Sequence, residues 1–567
     1  MRGSHVGSFE IAHSLAREGK DFGTGRDLGE DYDLVVVGGG ISGLAAAYYY
    51  RQIHGHDARI LILENHDDFG GHAKRNEFQQ GGQMRMAWGG VFNLEYPLLS
   101  DTVKALLADL GVDLGRLQEQ DDFNYGEDGR LGQATYFDAE TYGRDALVPG
   151  FALRHGDRAQ VMEGLDQVPL SAESIESLRR FYSARTDVLA GEDPEARDRY
   201  LRSISYTDFL KQHGGLTPEA VEIFIKATHG YAGVGADGLS AAECEGAGLP
   251  IAHLLGGELG VAPGSVGGES AMFPDGNASI ARLLVRELIP GVAPGSTMDD
   301  IVTAEFDYSR LDRPDSSVRL RLSSTAVNVA ESGGAVNVTY VRDGETVTVR
   351  GRQAILACYH SIIPALCPQL PESQREALSY QVKRPLLLTN VLLRNSKAAD
   401  ELGVSGAYCP GRLHGATWLV KGFDNGTYRH DWSDPGPVVM QFWGSVDPLV
   451  RDVDARLQHR ASRARLLAMT FADFEREVRV VLDGMLGSAG FQASEDILAI
   501  TVNRWPHGYA YDYLDLWDPE WPPGEAPHEI ARQRFGRIAF ANADAGAVAY
   551  THTAIDEAWR AVNELAE

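Results

Sequence analysis

Tyr32-Asp33-Leu34-Val35-Val36-Val37 is a β-branched apolar run of the kind buried on both faces in a parallel sheet, and Gly38-Gly39-Gly40-Ile41-Ser42-Gly43 comes directly after it. The spacing then predicts a helix over Ala45 to Ile53, which lacks Gly and Pro, and a second strand over Ala58 to Leu63 that ends at Glu64. This β-α-β order restricts the fold more than any other feature. Gly38 permits the tight turn, Gly40 lets a pyrophosphate approach the backbone, and Gly43 lets helix and strand pack closely. The helix start at Ile41 and Ser42 offers free N–H groups to phosphates, and Glu64 is placed for ribose hydroxyls. A glycine pattern alone is weak and also describes a Gly-rich turn in any α/β domain. Strand, glycines, helix and a correctly spaced acid together predict dinucleotide binding.

The residues after Glu64 decide between FAD and NAD. Glu64, five residues and the pair Gly70-Gly71 resemble the extended FAD motif of the amine-oxidase-like flavoproteins. That resemblance implies FAD, with Asn65, His72, Ala73, Gly89, Gly90 and Val91 among its contacts. Such proteins close the FAD domain with a late segment. Gly536 to Asp544 looks like that strand, with Asp544 placed for the ribityl chain or a phosphate. A helix is expected over Tyr550 to Leu565, its positive end near Ala549, Tyr550 and Thr551 aimed at the flavin ring. The alternative is an edge strand and a surface helix. Thr325 to Ala330, Ala335 to Val341 and Thr346 to Val349 alternate as strands with turns at Gly333-Gly334 and Asp343-Gly344, and Arg352 to Cys358 returns to the core. This resembles the hairpin insertion of the same proteins, in which Val327 would meet the adenine through its backbone.

The expected fold class is α/β: a discontinuous Rossmann-type FAD-binding domain of the amine-oxidase and glutathione-reductase-like kind, with an inserted α+β substrate domain. The segments are an N-terminal arm at 1–29, FAD-binding parts at 30–100, 270–365 and 530–567, and substrate-domain parts at 101–269 and 366–529. Helices are expected over Ala172 to Leu189 and Arg460 to Leu486, and an exposed loop over Asp307 to Ser317.

Composition narrows the partners. The net charge of −28 argues against nucleic acid and would draw cations to an acidic cleft. Cys244, Cys358, Cys367 and Cys409 form no CxxC pair, zinc spacing or haem-attachment motif, and none lies late enough for cysteinyl flavin attachment. The longest uncharged stretch, Leu34 to Tyr50, is broken by glycines, so no transmembrane segment is expected.

Asn65 to Phe78, Phe273 to Ala278, Val502 to Tyr511 and Ala541 to Ala547 resemble the bacterial spermidine dehydrogenases, and the resemblance covers almost the whole chain. Arg2 to His5 and Ser8 to His13 resemble that family's arm, so the tag-like start reads as native. The resemblance implies non-covalent FAD, a b-type haem, oxidation of a polyamine C–N bond by hydride transfer to FAD, and hydrolysis of the imine to an aldehyde and a shorter amine. Electrons would pass to a cytochrome or quinone. Family members commonly carry an upstream export signal, which implies the periplasm for a trimmed chain and otherwise the cytoplasm. Gln83 to Val91 departs from many members, which bears on substrate identity.

Trp505, Tyr509 and Tyr511 are candidates for an aromatic wall beside the reacting carbon, with Trp88 and Trp443 behind, although aromatics at such spacing also build cores. His507 is a candidate proton exchanger. Glu243, Glu245 and Asp275 are candidate grips for the distal ammonium. Lys383 is near the position where relatives place a lysine beside the flavin, but the aligned strand position carries Thr389, and no such role is assigned. Haem needs one or two axial ligands; His5 and His13 on the arm are the expected pair, His66 and His72 the rivals. Alternative functions on the same fold are a desaturase, a protoporphyrinogen-type oxidase, a sugar-ring mutase, or a non-enzymatic escort protein.

Overall fold

A computed structural model of the chain describes residues 1–120, 131–153, 158–259, 270–420, 422–430, 436–448 and 450–566. Leu34 to Val37 and Ile60 to Leu63 are almost wholly buried on both faces, as an apolar parallel strand must be. Leu34, Val36, Ile60 and Ile62 pack with the helices Ile41–His54, Ala278–Leu288 and Thr551–Ala566. Val35, Val37, Leu61 and Leu63 face the opposite core, which holds Val338, Val349, Leu366 and Leu378. Burying each such aliphatic side chain is worth about 1.5–3 kcal/mol, so the two cores fix the strands that carry the cradle.

These strands belong to a seven-stranded sheet. Val318–Arg321, Ile60–Leu63, Arg26–Val37 and Glu345–Leu356 run parallel in that order, and Ile538–Phe540 pairs parallel with the end of the last. Ala335–Arg342 and Thr325–Ser332 add antiparallel. Ile538–Phe540 is wholly buried although it pairs with one strand only, and Thr551–Ala566 packs into the core. The fold class is mixed α/β with a Rossmann-like dinucleotide-binding domain.

A second, eight-stranded sheet is built mainly from residues 132–149 and 384–509, and its edge strand is Arg2–Gly3, parallel to Asn503 and Arg504. The arm then forms the helix Glu10–Ala16. Among the described residues no helix is long and apolar enough to cross a membrane, and all four cysteines are free.

Several local expectations change. The strand expected from Tyr32 begins at Arg26, inside the 1–29 segment. Thr346–Val349 and Arg352–Cys358 merge into the single strand Glu345–Leu356, with a register shift between Thr348 and Arg350. The helix from Ala172 stops at Ser183, and Arg460 to Leu486 splits at Met469-Thr470, where Thr470 and Asp473 form a capping box for Phe471–Leu486. Asp307 to Ser317 is not wholly exposed: Asp312 pairs with Arg319, Arg321 and Arg342, and Arg321 is 2% exposed. The 101–269 segment contains residues 121–130, 154–157 and 260–269, which lie outside the described ones.

Candidate dinucleotide and substrate site

The glycine-rich turn is shaped by backbone contact. A Cβ on Gly43 would stand 1.9 Å from the Gly38 carbonyl oxygen, so only glycine lets the helix Ile41–His54 start against its strand. A Cβ on Gly90 would meet the His72 oxygen at 2.0 Å. Gly70 N–H donates to the Gly39 carbonyl at 2.8 Å, which seats the second glycine pair on the first turn. No side chain caps the helix at Gly40, so its first N–H groups are left facing the cavity.

Glu64 lies at the end of its strand. Its Oε2 accepts from Gly39 N–H at 2.8 Å, and its Oε1 accepts from His66 N–H at 2.8 Å and lies 3.0 Å from His66 Nδ1. Burial pushes the carboxyl's pKa up, but the His66 contacts and the Gly39 N–H outweigh it and hold the group ionised below the usual range. Asp544 is wholly buried; it accepts from His360 N–H at 3.0 Å and pairs with Lys383 Nζ. Burial opposes its ionisation, and the Lys383 charge prevails. In the strand Thr325–Ser332 the register shifts between Ala326 and Asn328, which leaves Val327 unopposed in the ladder. Thr551 Oγ1 accepts from Asn277 Nδ2 at 2.7 Å at the start of the late helix. An uncapped helix N-terminus on a glycine cradle, an ionised acid one strand away and an unopposed backbone at Val327 fit a dinucleotide.

These features border one cavity of about 790 Å³, within the range of cofactor pockets. Gly38, Gly40, Ile41, Ser42, Glu64 and Asn65 line it, as do Gly70, Gly71, His72, Ala73, Gly90 and Val91. Ala549 and Tyr550 line it just before the late helix and Thr551 at its first position, and Trp443, Trp505, His507 and Tyr509 line it from the eight-stranded sheet. Gly43, Gly89, Val327 and Asp544, also expected as cofactor contacts, are not part of this lining. Trp505 Nε1 donates to the Gly89 oxygen at 2.6 Å, and its ring meets His72 edge-on at 4.6 Å. His72 Nε2 lies 3.0 Å from the Tyr359 hydroxyl; burial and the Lys383 charge push its pKa down to about 3. His507 stacks on Tyr359 at 5.0 Å and takes a hydrogen bond on Nδ1 from Arg463 at 3.0 Å. Burial, then the charges of Arg463 and Lys383, hold it neutral, with its proton on Nε2.

Other expected residues lie elsewhere. Trp88 is buried and stacks on Phe92, which itself lines the cavity. Tyr511 is 5% exposed and packs edge-on against Tyr380 outside the cavity. Glu243 caps the helix Ala241–Gly246 by accepting from Ser240 N–H, with Glu245 on the same short helix, and neither reaches the cavity. Asp275 has no exposed surface; it pairs with Arg75 and accepts from Ser279 Oγ. A carboxylate next to glycine and proline in sequence is tied down by neighbours that only the fold brings in. Of the histidines weighed for haem, His13, His66 and His72 line the cavity, while His5 sits outside it, 3.4 Å from Asp67.

The carboxylates that do reach the cavity beyond Glu64 are Glu95 and Asp512. Both charges act on the Tyr550 hydroxyl, raising its pKa after burial does. Glu95 accepts from Asn93 Nδ2 at 2.7 Å, and burial raises its pKa; Asp512 pairs with Arg384 at 3.1 Å. Asp512 comes directly after Tyr511, so extending the Val502–Tyr511 motif by one residue would have found it; Glu95 had no comparable signal. Lys383 also lines the cavity, whereas Thr389 is buried against His414.

A family model described as an NAD(P)-binding Rossmann-like domain matches residues 36–106. Over 77 residues, 14% of this chain, the sequence is 43% identical to coproporphyrinogen III oxidase of Mycobacterium tuberculosis, and over 53 residues, 9% of the chain, it is 42% identical to oxidoreductase PigB of Serratia sp.. The chain spans only 16% and 7% of those relatives' lengths. Putrescine oxidase bound to putrescine superimposes with a TM-score of 0.54 at 16% identity, over 94% of this chain and 99% of that one. A putative protoporphyrinogen oxidase from Exiguobacterium sp. gives 0.57 at 14% identity over 95% and 99%, and cyclohexylamine oxidase from Brevibacterium oxydans 0.52 at 16% over 94% and 99%. The chain has the fold of the amine-oxidase-like flavoenzymes.

Proposed function

We propose that the chain is an FAD-dependent dehydrogenase that oxidises a polyamine such as spermidine at a carbon next to nitrogen. The observation that carries the reading is that Glu95 and Asp512, both acting on the Tyr550 hydroxyl, line the same cavity as the aromatic side chains of Phe92, Tyr231, Trp443 and Tyr509. FAD, when bound, supplies a two-electron acceptor for the hydride leaving that carbon. The cradle Gly38–Gly43 and Glu64 would hold it. Carboxylates bind the distal ammonium while aromatic faces and burial favour the neutral amine at the reacting end. His507 is held neutral with its proton on Nε2, so it donates a hydrogen bond from that atom and orients the amine rather than abstracting its proton. The hydrolysed product is an aminoaldehyde and a shorter amine. Structural neighbours named for putrescine and cyclohexylamine support an amine.

Haem b as the next electron carrier is part of this proposal. His13 fits as its ligand: it lines the cavity among Phe9, Ala12, Ile362 and Leu366, and its imidazole hydrogen-bonds to no described residue. A cytochrome or quinone acceptor and a periplasmic site belong to the same resemblance. A second reading, oxidation of a porphyrinogen, is favoured by Arg17, Arg460 and Arg463 on the cavity wall, which suit a carboxylate-bearing ring.

The test is an anaerobic visible spectrum before and after addition of spermidine. Bleaching near ~450 nm together with sharpened haem bands is expected. No bleaching with spermidine, and bleaching with coproporphyrinogen instead, would replace the amine reading by the second.

A further inference from the structure

One stretch of the cavity wall carries the opposite charge to the Glu95–Asp512 wall. Arg460 and Arg463 stand one turn apart on the helix Ala455–Ala468, and Arg17 comes just after the arm helix; all three line the cavity. Among the described residues none of them is in an ion pair. Elsewhere in this chain the buried guanidiniums are anchored: those of Arg75, Arg319, Arg321, Arg384 and Arg412 each meet a carboxylate, and those of Arg51, Arg85, Arg282 and Arg504 donate to backbone carbonyl oxygens. Arg463 is half-buried, and its one hydrogen-bond partner is His507, an uncharged acceptor. Burial and the like charges of Arg460 and Arg17 push its pKa down to about 10. The nearest acids of the arm are engaged locally: Glu10 accepts from Gly7 and Phe9 N–H, and Glu18 from Ser14 Oγ. In a protein with net charge −28, three guanidiniums converge where no acid answers them.

The surfaces beside them are apolar. Phe9, Ala12 and Ala16 on the arm and Ile362, Leu366 and Val382 on the other side line the same cavity. The dinucleotide phosphates have their own place at the helix start near Gly40, on other elements. We propose that Arg17, Arg460 and Arg463 form a carboxylate-binding subsite for a ligand with an apolar body, held between the arm helix and the Ile362–Leu366 face. The planar guanidinium suits a carboxylate by two parallel hydrogen bonds, and the apolar walls exclude a small, fully hydrated anion. A ring with propionate groups, as in haem, and a free aliphatic carboxylate share this chemistry. The ring source rests on the proposal of haem b as electron carrier; the subsite itself does not.

The test titrates the full-length flavoprotein with haemin, with haemin dimethyl ester and with octanoate, and reads binding by the Soret shift or by calorimetry. Haemin is expected to bind one to one, and the diester, which keeps the ring and loses both charges, at least tenfold more weakly. Arg17→Gln combined with Arg460→Gln, both at exposed positions, is expected to weaken haemin at least tenfold and the diester less than twofold. Octanoate binding with the same arginine dependence, without haemin binding, supports the subsite and assigns it to a free carboxylate while sinking the haem reading. Equal affinity for haemin and its diester, or the same affinity in the double variant, overturns the subsite. Bleaching by spermidine is read separately, so the amine reading stands or falls on its own.

Discussion

The cavity has a floor made of backbone and walls made of side chains, and the two solve the problem of holding charge differently. On the floor, the N–H groups at Gly40 and the close approach of Gly43 to Gly38 present fixed dipoles that need no counter-ion. On the walls, charge is carried by groups with freedom to move. Asp512 is partly answered by Arg384 and Glu95 by Asn93, whereas Arg17, Arg460 and Arg463 pair with no acid among the described residues. A floor of this kind recognises a phosphate chain by shape, while the walls select by sign of charge.

The strongest test of that contrast is Gly43→Ala. Its Cβ would meet backbone, which cannot rotate away, so overpacking should cost roughly 1–3 kcal/mol or more and the purified protein should lose most of its flavin absorbance near ~450 nm. Stoichiometric flavin in this variant would mean the floor is not the cradle. Next comes the acidic wall. Glu95→Gln with Asp512→Asn should raise KM for spermidine by roughly 10–100-fold, from charged hydrogen bonds worth about 1.5–3 kcal/mol, and leave KM for a monoamine within about twofold. An equal rise for both substrates would remove the wall from recognition of the distal ammonium.

Glu243 sharpens the comparison because it sits on neither surface. Burial raises its pKa from 4.5 to about 7, with the Asp515 charge adding to the effect against the Ser240 N–H. Its folded state therefore holds a proton more tightly than the unfolded chain. Its own contribution to stability is full below pH 4.5, falls as pH rises to about 7, and is lost above that. Glu243→Gln should flatten this stretch of the Tm-against-pH curve, by about 1–2 kcal/mol after allowance for its partial exposure, without changing KM for spermidine. The smallest effect is expected at Arg460→Gln, which relieves a like-charge contact one turn from Arg463 and should stabilise the ligand-free protein by roughly 0.2–0.5 kcal/mol. A lower Tm would show that Arg460 is already answered by an acid.

The floor is readable in sequence because its parts are contiguous: Gly38 to Gly43, Glu64 and Gly70-Gly71 succeed one another along one β-α-β unit, each with a backbone reason to be there. The late strand at Ile538–Phe540 and the helix Thr551–Ala566 are reached through resemblance and hydrophobic pattern together. The walls are not readable in this way. Glu95, Tyr231, Trp443 and Asp512 come from four distant segments, of which only that of Trp443 belongs to the eight-stranded sheet, so they meet only when separate elements pack together. Asp275 and Glu243 carry the right chemistry for an ammonium, yet local partners consume them: Arg75 and Ser279 for one, the Ser240 N–H for the other. Composition tells which charges exist; only packing tells which remain unanswered.

The edge strand Arg2–Gly3 has a consequence in time. It aligns with Asn503 and Arg504, and the Arg504 guanidinium grips the Ser4 carbonyl oxygen across 500 positions of chain. Arg2 also pairs with Asp67, 65 positions away, but the ladder that sets the strand's register is made with Asn503 and Arg504, so the register is fixed only after that partner strand has formed. Because the short helix Glu10–Ala16, just after it, carries Ala12 and His13 onto the cavity, the side of the cavity that the arm closes depends on a contact made across nearly the whole chain, and loosening that contact would open the cavity there.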